Sequence, residues 1–400
     1  MKSRKQTNGL VLLFTATYMI SYITRINYGA IISEMQTATG FSKSLLSMSL
    51  TGSFITYGLG QVVSGICGDK ISPKKLVLWG LLATVVMNLL IPVCADPYQM
   101  LIVWSINGFA QSFMWPPIIK IMTDVLPEAE YKKAVTKVSW GSSVGTIAVY
   151  LLSPLLISVA GWRSVFVFSA ALGIVMLFVW NKFATDVQAV QPREVTSAPK
   201  TGSLFTPLLF GVMVAIVLQG MLRDGVTTWM PSYIAEIYHL SNEISILTGV
   251  ILPVFSILCF QAALLVYARK PDNPLVCATL FFFVGASASV GIRLFDGQSA
   301  AVSVVLFALL TGSMHGVNLM LISMIPPYFQ KTGKVSTVSG ILNACTYIGS
   351  AASTYGVAVL SEKLGWNYTV LIWLVIAACG TAICLICSKA WNRYRKTLEK

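Results

Sequence analysis

The sequence is poor in charge, and poorer still in the groups that carry most enzyme chemistry. Of its 400 residues only 11% are charged, the acids number 15 and there are 2 histidines, whereas about 25% of an ordinary soluble domain is charged. That shortage argues against a soluble globular fold. No loop gathers the carboxylates or histidines that hydrolytic or transferase chemistry needs, so neither an enzyme nor a bound cofactor or metal is expected. The eight cysteines all fall in apolar runs, and Cys384 with Cys387 in "CLIC" forms a CxxC within a lipid-type helix rather than a redox or metal loop. Disulfides and zinc are therefore not expected. The basic N-terminus "MKSRKQTNG" leads into an apolar run too long for a signal-peptide core, with no small-residue cleavage site, which predicts an uncleaved first span.

What the chain has instead is apolar length, with 56% hydrophobic residues. A helix needs about 20 mostly apolar residues to cross a bilayer. Twelve such windows are present, at roughly 10 to 33, 45 to 67, 76 to 95, 98 to 123, 134 to 158, 163 to 183, 204 to 234, 244 to 267, 274 to 294, 299 to 325, 335 to 360 and 366 to 388. The fold class expected is an all-α membrane protein with twelve transmembrane helices, a multi-pass protein of the cell membrane.

Basic residues set its orientation, because cytoplasmic loops carry the excess of Lys and Arg. With the N-terminus inside, that face holds Lys2, Arg4, Lys5, Lys70, Lys74, Lys75, Lys132, Lys133, Lys182, Arg193, Lys200, Arg269, Lys270, Lys331, Lys334 and the five basic residues from Lys389 to Lys400. The opposite face holds Lys43, Arg163, Arg293 and Lys363. Both termini are expected to be cytoplasmic. Contact with anionic lipid heads explains the net charge of +13 without a nucleic-acid partner. Four cations remain inside windows, Arg25, Lys120, Lys137 and Arg223, together with one clearly intramembrane acid, Asp224.

The chain also repeats itself. Gly145 and the "GW" at Gly161 recur as Gly349 and the "GW" at Gly365, and "NG" at Asn107 recurs as "TG" at Thr311, all shifted by 204; Arg25 and Arg223 are shifted by 198. Residues 1–184 and 204–400 thus read as two six-helix halves, joined by the longest polar stretch, residues 185–203. This plan resembles the parallel repeats of the major facilitator superfamily, in which the substrate site lies near the midplane between halves. "GICGDKISPKK" resembles that superfamily's loop between spans two and three at Gly65, Asp69, Lys70 and Lys74, while Ser72 and Pro73 depart from it. The first and seventh windows are equivalent, so Arg25 and Arg223 are expected at similar depth past the midplane, facing each other across the axis.

An arginine at that depth needs a wet cavity or a partner. It cannot discharge by losing its proton, and its planar fork matches phosphate or carboxylate oxygens. Two such forks suit one phosphate. The competing reading neutralises Arg223 internally through Asp224, against which stands the angle of about 100° between neighbours on a helix.

The stretches "YITRINYGAI", "NGFAQSFMWPP" followed by Lys120, "GSSVGT" and "LRDGVTTWMPSYI" together resemble the organophosphate:phosphate antiporters, the family of glycerol-3-phosphate and hexose-phosphate transporters, over nearly the whole chain. The resemblance implies that Arg25 and Arg223 bind the phosphate and that Lys120 matches the basic residue after the "WPP". Four positions depart from the pattern: Ile26 and Gln61 stand where lysines are usual, Ser142 where a His is, and Thr228 where an acid often is.

Weaker substrate candidates are Tyr22, Gln61, Lys120, Lys137, Gln219 and His315. Tyr22 and Gln219 share a helix face with their arginines, and His315 shares one with Asn318. Lys137 reads equally as a residue that snorkels to the surface, and His315 as an interhelical hydrogen-bonding group. Asp224 has three readings, as a proton-coupling carboxylate, as a gating partner for a cation such as Lys137, or as a local counter-ion. With Asp69 it is the candidate for coupling or gating. The function expected is secondary transport of an organic phosphate in exchange for inorganic phosphate, by a monomer whose partners are that small anion and the bilayer. Proton-coupled uptake of an organic anion such as a sugar acid is the alternative, and a transporter-like sugar-phosphate receptor is a further one.

Overall fold

The structure, a computed structural model, describes residues 4–41, 43–184, 206–240, 248–269 and 273–399. In chain order the helices are α1 (Arg4–Ala30), α2 (Ile32–Thr39), α3 (Lys43–Lys70), α4 (Pro73–Leu90), α5 (Pro97–Gln111), α6 (Trp115–Val125), α7 (Glu128–Ala160), α8 (Arg163–Phe183), α9 (Pro207–Tyr238), α10 (Ile251–Arg269), α11 (Pro274–Leu294), α12 (Ala300–Asn318), α13 (Val335–Leu364) and α14 (Trp366–Glu399). The described residues hold no strand. The linker at 185–203 lies outside them, as do the first residues of the window at 244 to 267 up to residue 247.

The start signals are local. Ser72, Asp96, Thr206 and Asn273 each accept a backbone N–H of the helix that follows, and each is followed by Pro at the first helical position. A side-chain acceptor satisfies an orphan donor there, and proline's fixed φ suits a residue whose N–H has no partner anyway. The repeated "GW" signals are stops. Gly161 and Gly365 have φ of 71° and 78° and break α7 from α8 and α13 from α14. Only glycine takes that backbone without strain. The tryptophans after them, Trp162 and Trp366, are buried against aromatic clusters.

Nine helices among the described residues are long and apolar enough to cross a membrane. The other three windows fall short for visible reasons. The window at 98 to 123 is split into α5 and α6 at Ser112–Met114, just before Pro116 and Pro117, which lack the N–H that would continue the ladder. Its repeat equivalent stays continuous longer, passing through a π turn at Leu319–Ser323 before Pro326. α3 and α13 are rich in Gly and Ser, which lowers their hydropathy and lets backbones approach.

The chain divides into two compact units. One comprises the described residues of Met1–Glu194 with Thr332–Ala344, so the first turns of α13 group with it; the other comprises those of Val195–Lys331 and Cys345–Lys400. In each, large apolar side chains point outward along one helix face. Leu151, Leu155 and Val159 of α7 are 63%, 64% and 86% exposed, the exposure expected of a lipid-facing stripe.

Candidate anion-binding site

In the first unit α1 is fixed by polar contacts that turn Arg25 away from them. Asn27 donates to Asn88 Oδ1 and Ser169 Oγ at 2.8 and 3.0 Å, while Asn88 and Asn107 donate to the Thr24 carbonyl. Gln111 donates to Thr24 Oγ1 and accepts from Ser21. Buried amides that donate to fixed partners set one rotation of α1 about its axis. Arg25 then lies on aromatic faces, its guanidinium 4.1 Å from the Tyr22 ring centroid and 4.7 Å from that of Tyr57. Ring quadrupoles stabilise a cation there. Tyr22 leans edge-on against Tyr18, which contacts Trp115.

The other expected cations of this unit differ from Arg25. Lys120 is 1% exposed and forms an ion pair at 2.8 Å with Asp124, one turn onward. Lys137 is exposed on α7. Gln61 is fully buried, donates to the Ser112 carbonyl and accepts from Asn343. Asp69, two residues past its expected span, accepts from the backbone N–H groups of Ser336 and Thr337 at 3.0 and 2.7 Å and so caps the start of α13. Burial pushes its carboxyl up, against the opposing pull of those donors and of Lys120.

In the second unit Arg223 and Asp224 form a bidentate pair, Nε to Oδ1 at 2.6 Å and Nη2 to Oδ2 at 2.8 Å. This corrects the expectation that helix neighbours point too far apart to pair. The 100° offset applies to the Cα–Cβ directions, and the long arginine chain bends its planar end back to the carboxylate. Ser350 of α13 shares its one hydroxyl proton between Asp224 Oδ2 and the Thr346 carbonyl. The pair is only partly covered, with 14% and 32% of the two side chains exposed. Thr227 and Thr228, exposed beside it, turn their hydroxyls back to the carbonyls of Arg223 and Asp224. This polar stripe on an apolar helix is the kind of surface that lines a wet space.

Gln219, one turn before Arg223, is fully buried and donates to the Met314 carbonyl, while its Oε1 has no hydrogen-bond partner among the described residues. His315 stacks on Phe260 with centroids 5.5 Å apart and lies within electrostatic reach of both Arg223 and Asp224. The second unit therefore brings Gln219, Arg223, Asp224 and His315 together, and the first brings Arg25 and Tyr22 together. Sequence reasoning missed Tyr57, Ser350, Asn343 and Phe260. It also missed Asp124, although the i,i+4 spacing from Lys120 was there to be read.

Comparison with known proteins agrees with this architecture. The family model described as the Major Facilitator Superfamily matches residues 14–354. A probable hexose phosphate transport protein of Chlamydia muridarum is 22% identical over 96% of this chain and 90% of its own length. The glycerol-3-phosphate transporter of Bacillus subtilis is 23% identical over 93% and 89%. These relatives bear out the resemblance to the organophosphate:phosphate antiporters. Among solved structures, the proton:xylose symporter bound to 6-bromo-6-deoxy-D-glucose superposes with a TM-score of 0.78 at 12% identity, covering 96% of this chain and 95% of that one, which is a likeness of fold. A fold that is helical throughout the described residues and a family match over most of its length lead to one conclusion: the chain belongs to the major facilitator superfamily, whose members are membrane transport proteins rather than enzymes.

Proposed function

We propose that this protein carries an organic phosphate across the cell membrane and exchanges it for inorganic phosphate. Its halves, residues 1–184 and 204–400, alternate access to one site while residues 185–203 link them. It acts as a monomer with both termini cytoplasmic. Arg25 and Arg223 take the phosphoryl group, and Tyr22, Gln219 and His315 contact the substrate around them. Lys137, exposed on α7, is assigned a secondary substrate contact, and Gln61 and Lys120 are assigned to the scaffold because each is already engaged inside the protein. Asp69 and Asp224 serve gating and coupling.

The observation that carries this reading is the seat on Arg223. One edge of its guanidinium already holds a planar oxyanion, the carboxylate of Asp224, in the middle of an apolar helix. An edge that fits a carboxylate also fits two oxygens of a phosphate. The repeat-related Arg25 is supported from behind by two aromatic rings. Relatives named for hexose phosphate and glycerol-3-phosphate add weight.

Proteoliposomes test the proposal. Uptake of a labelled hexose phosphate or glycerol phosphate is expected to require inorganic phosphate inside and to ignore a pH gradient. Arg25→Lys and Arg223→Lys keep the charge but lose the fork, and each is expected to reduce exchange by about 10- to 100-fold. Unaltered exchange in both variants would end the two-arginine reading. The reverse outcome, uptake driven by a pH gradient without internal phosphate, favours a second reading: proton-coupled uptake of an organic anion such as a sugar acid. What recommends that reading is Asp224, a carboxylate set directly against the cation of the site.

A further inference from the structure

We propose that Asp224 is a tethered competitor for the Arg223 fork, which a substrate anion must displace, and that its remaining charge cuts the advantage a doubly charged anion would otherwise have over a singly charged one. This rests on the reading that the substrate anion binds at Arg223.

The geometry supplies both positions the carboxylate needs. In one, Asp224 fills the Nε/Nη2 edge of Arg223. The other is prepared by Ser350, whose hydroxyl already donates to Oδ2 from α13 and keeps hold of the carboxylate after the guanidinium turns to another anion. Ser350 is carried on α13, so its position does not depend on Arg223. The groups that face Asp224 are Arg223 on its own helix, Ser350 on α13 and, through space, His315 on α12. His315 in turn is stacked on Phe260 of α10. A substrate hydroxyl finds an acceptor close by: Gln219 stands one turn away with an oxygen that has no hydrogen-bond partner among the described residues.

Displacement does not remove the carboxylate. It remains within several ångströms of the bound anion, in a setting of reduced dielectric, where its repulsion takes back roughly tenfold or more of the affinity that each additional negative charge on the ligand gains from Arg25 and Arg223. A phosphate monoester carries a charge of about −1.5 to −2 at neutral pH, with a second pKa of about 6. The penalty from Asp224 therefore falls hardest on the dianion and least on a monoanion: a singly protonated phosphate, a phosphodiester or a carboxylate. The repeat supports the contrast, since Ile26 occupies the position in α1 that Asp224 occupies in α9, so the device is built into one half alone.

The test uses the full-length purified protein and two ligands that differ in charge, a sugar phosphate monoester and its methyl phosphodiester. Both are measured by equilibrium binding at a pH about two units above the monoester's second pKa of about 6. Asp224→Asn is expected to bind both more tightly than the wild type does, with the monoester gaining about tenfold more than the diester. If Asp224→Asn weakens both ligands, or leaves their ratio unchanged, Asp224 merely positions Arg223 and the proposal is overturned. If Asp224→Asn does not fold, Ser350→Ala carries the test. Loss of the second anchor leaves the carboxylate on Arg223, so both ligands are expected to bind several-fold more weakly, and unchanged affinities overturn the proposal. Should no phosphate compound bind, while a singly charged sugar acid binds and gains affinity in Asp224→Asn, the organic-phosphate reading falls and the role of Asp224 stands.

Discussion

Gly145 of α7 and Gly349 of α13 make the same contact in the two units. A β-carbon at Gly145 would sit 2.6 Å from the carbonyl oxygen of Met19 on α1, and one at Gly349 would press against the carbonyl oxygen of Val217 on α9. The glycines are related by the repeat shift of 204, and Met19 and Val217 by 198, the shift that also relates Arg25 to Arg223. The repeat therefore extends to atomic contacts. Each arginine-bearing helix is held against its partner by a glycine whose missing side chain lets backbones touch. Thr146 and Ser350, a further pair at 204, both turn their hydroxyls to the carbonyl four residues back. Only in the second unit does that hydroxyl find a carboxylate.

A β-carbon at either position meets backbone, which cannot step aside as a flexible side chain does. Gly145→Ala and Gly349→Ala are each expected to destabilise the protein by about 1 to 3 kcal/mol, the usual range for overpacking. Gly349→Ala should be the worse, because its contact is the closer. Thermal unfolding in detergent reads this directly, and two unchanged midpoints would show that the helices are not in contact there.

The rings under Arg25 make a prediction about the face rather than the hydroxyl. Tyr57 is 3% exposed and presents its ring to the guanidinium. Tyr57→Leu removes a cation–π contact worth about 0.5 to 2 kcal/mol, so the apparent affinity for phosphate should fall by about 2- to 30-fold. Tyr57→Phe retains the ring and most of the affinity. If Phe and Leu behave alike, the quadrupole is not what steadies Arg25.

Much of this was legible in the sequence because the signals are local. A bilayer demands long apolar windows, and the helices follow them; the "GW" glycines, read as a repeat, fall at two helix stops. Arg25 and Arg223 stood out because a charge in lipid needs a reason. What did not emerge was which distant helix supplies each partner. Ser350 lies 126 residues from Asp224 and Asn343 lies 282 from Gln61, and hydropathy does not fix the face of a helix whose surroundings are nearly all apolar. The Arg223 to Asp224 pair was misjudged because backbone direction was taken for the reach of a long side chain.

Asp69 caps α13 with two backbone donors, a charge-assisted arrangement worth more than neutral hydrogen bonds. Asp69→Ala removes both acceptor oxygens, and the amides of Ser336 and Thr337 should lose protection from hydrogen exchange by about 10- to 100-fold. Asp69→Asn leaves one oxygen able to accept, so one of the two amides should keep part of its protection. Equal protection in wild type and Asp69→Ala would mean that the cap contributes nothing to the start of α13.

Lys120 separates a structural cation from a substrate ligand. Its partner Asp124 is 12% exposed, so both charges lie largely out of water. Lys120→Met leaves the carboxylate without its ion pair, and breaking one side of such a pair is expected to cost about 3 kcal/mol or more. Adding Asp124→Leu removes the orphan charge and should recover most of that stability, since an apolar pair of similar volume often replaces a buried ion pair without loss. Transport by the double variant then decides the role of Lys120. If Lys120 only neutralises Asp124, the stable double variant transports at close to the wild-type rate. If the double variant is stable but its apparent affinity for phosphate has fallen tenfold or more, Lys120 touches the substrate and its pairing with Asp124 belongs to the empty site alone.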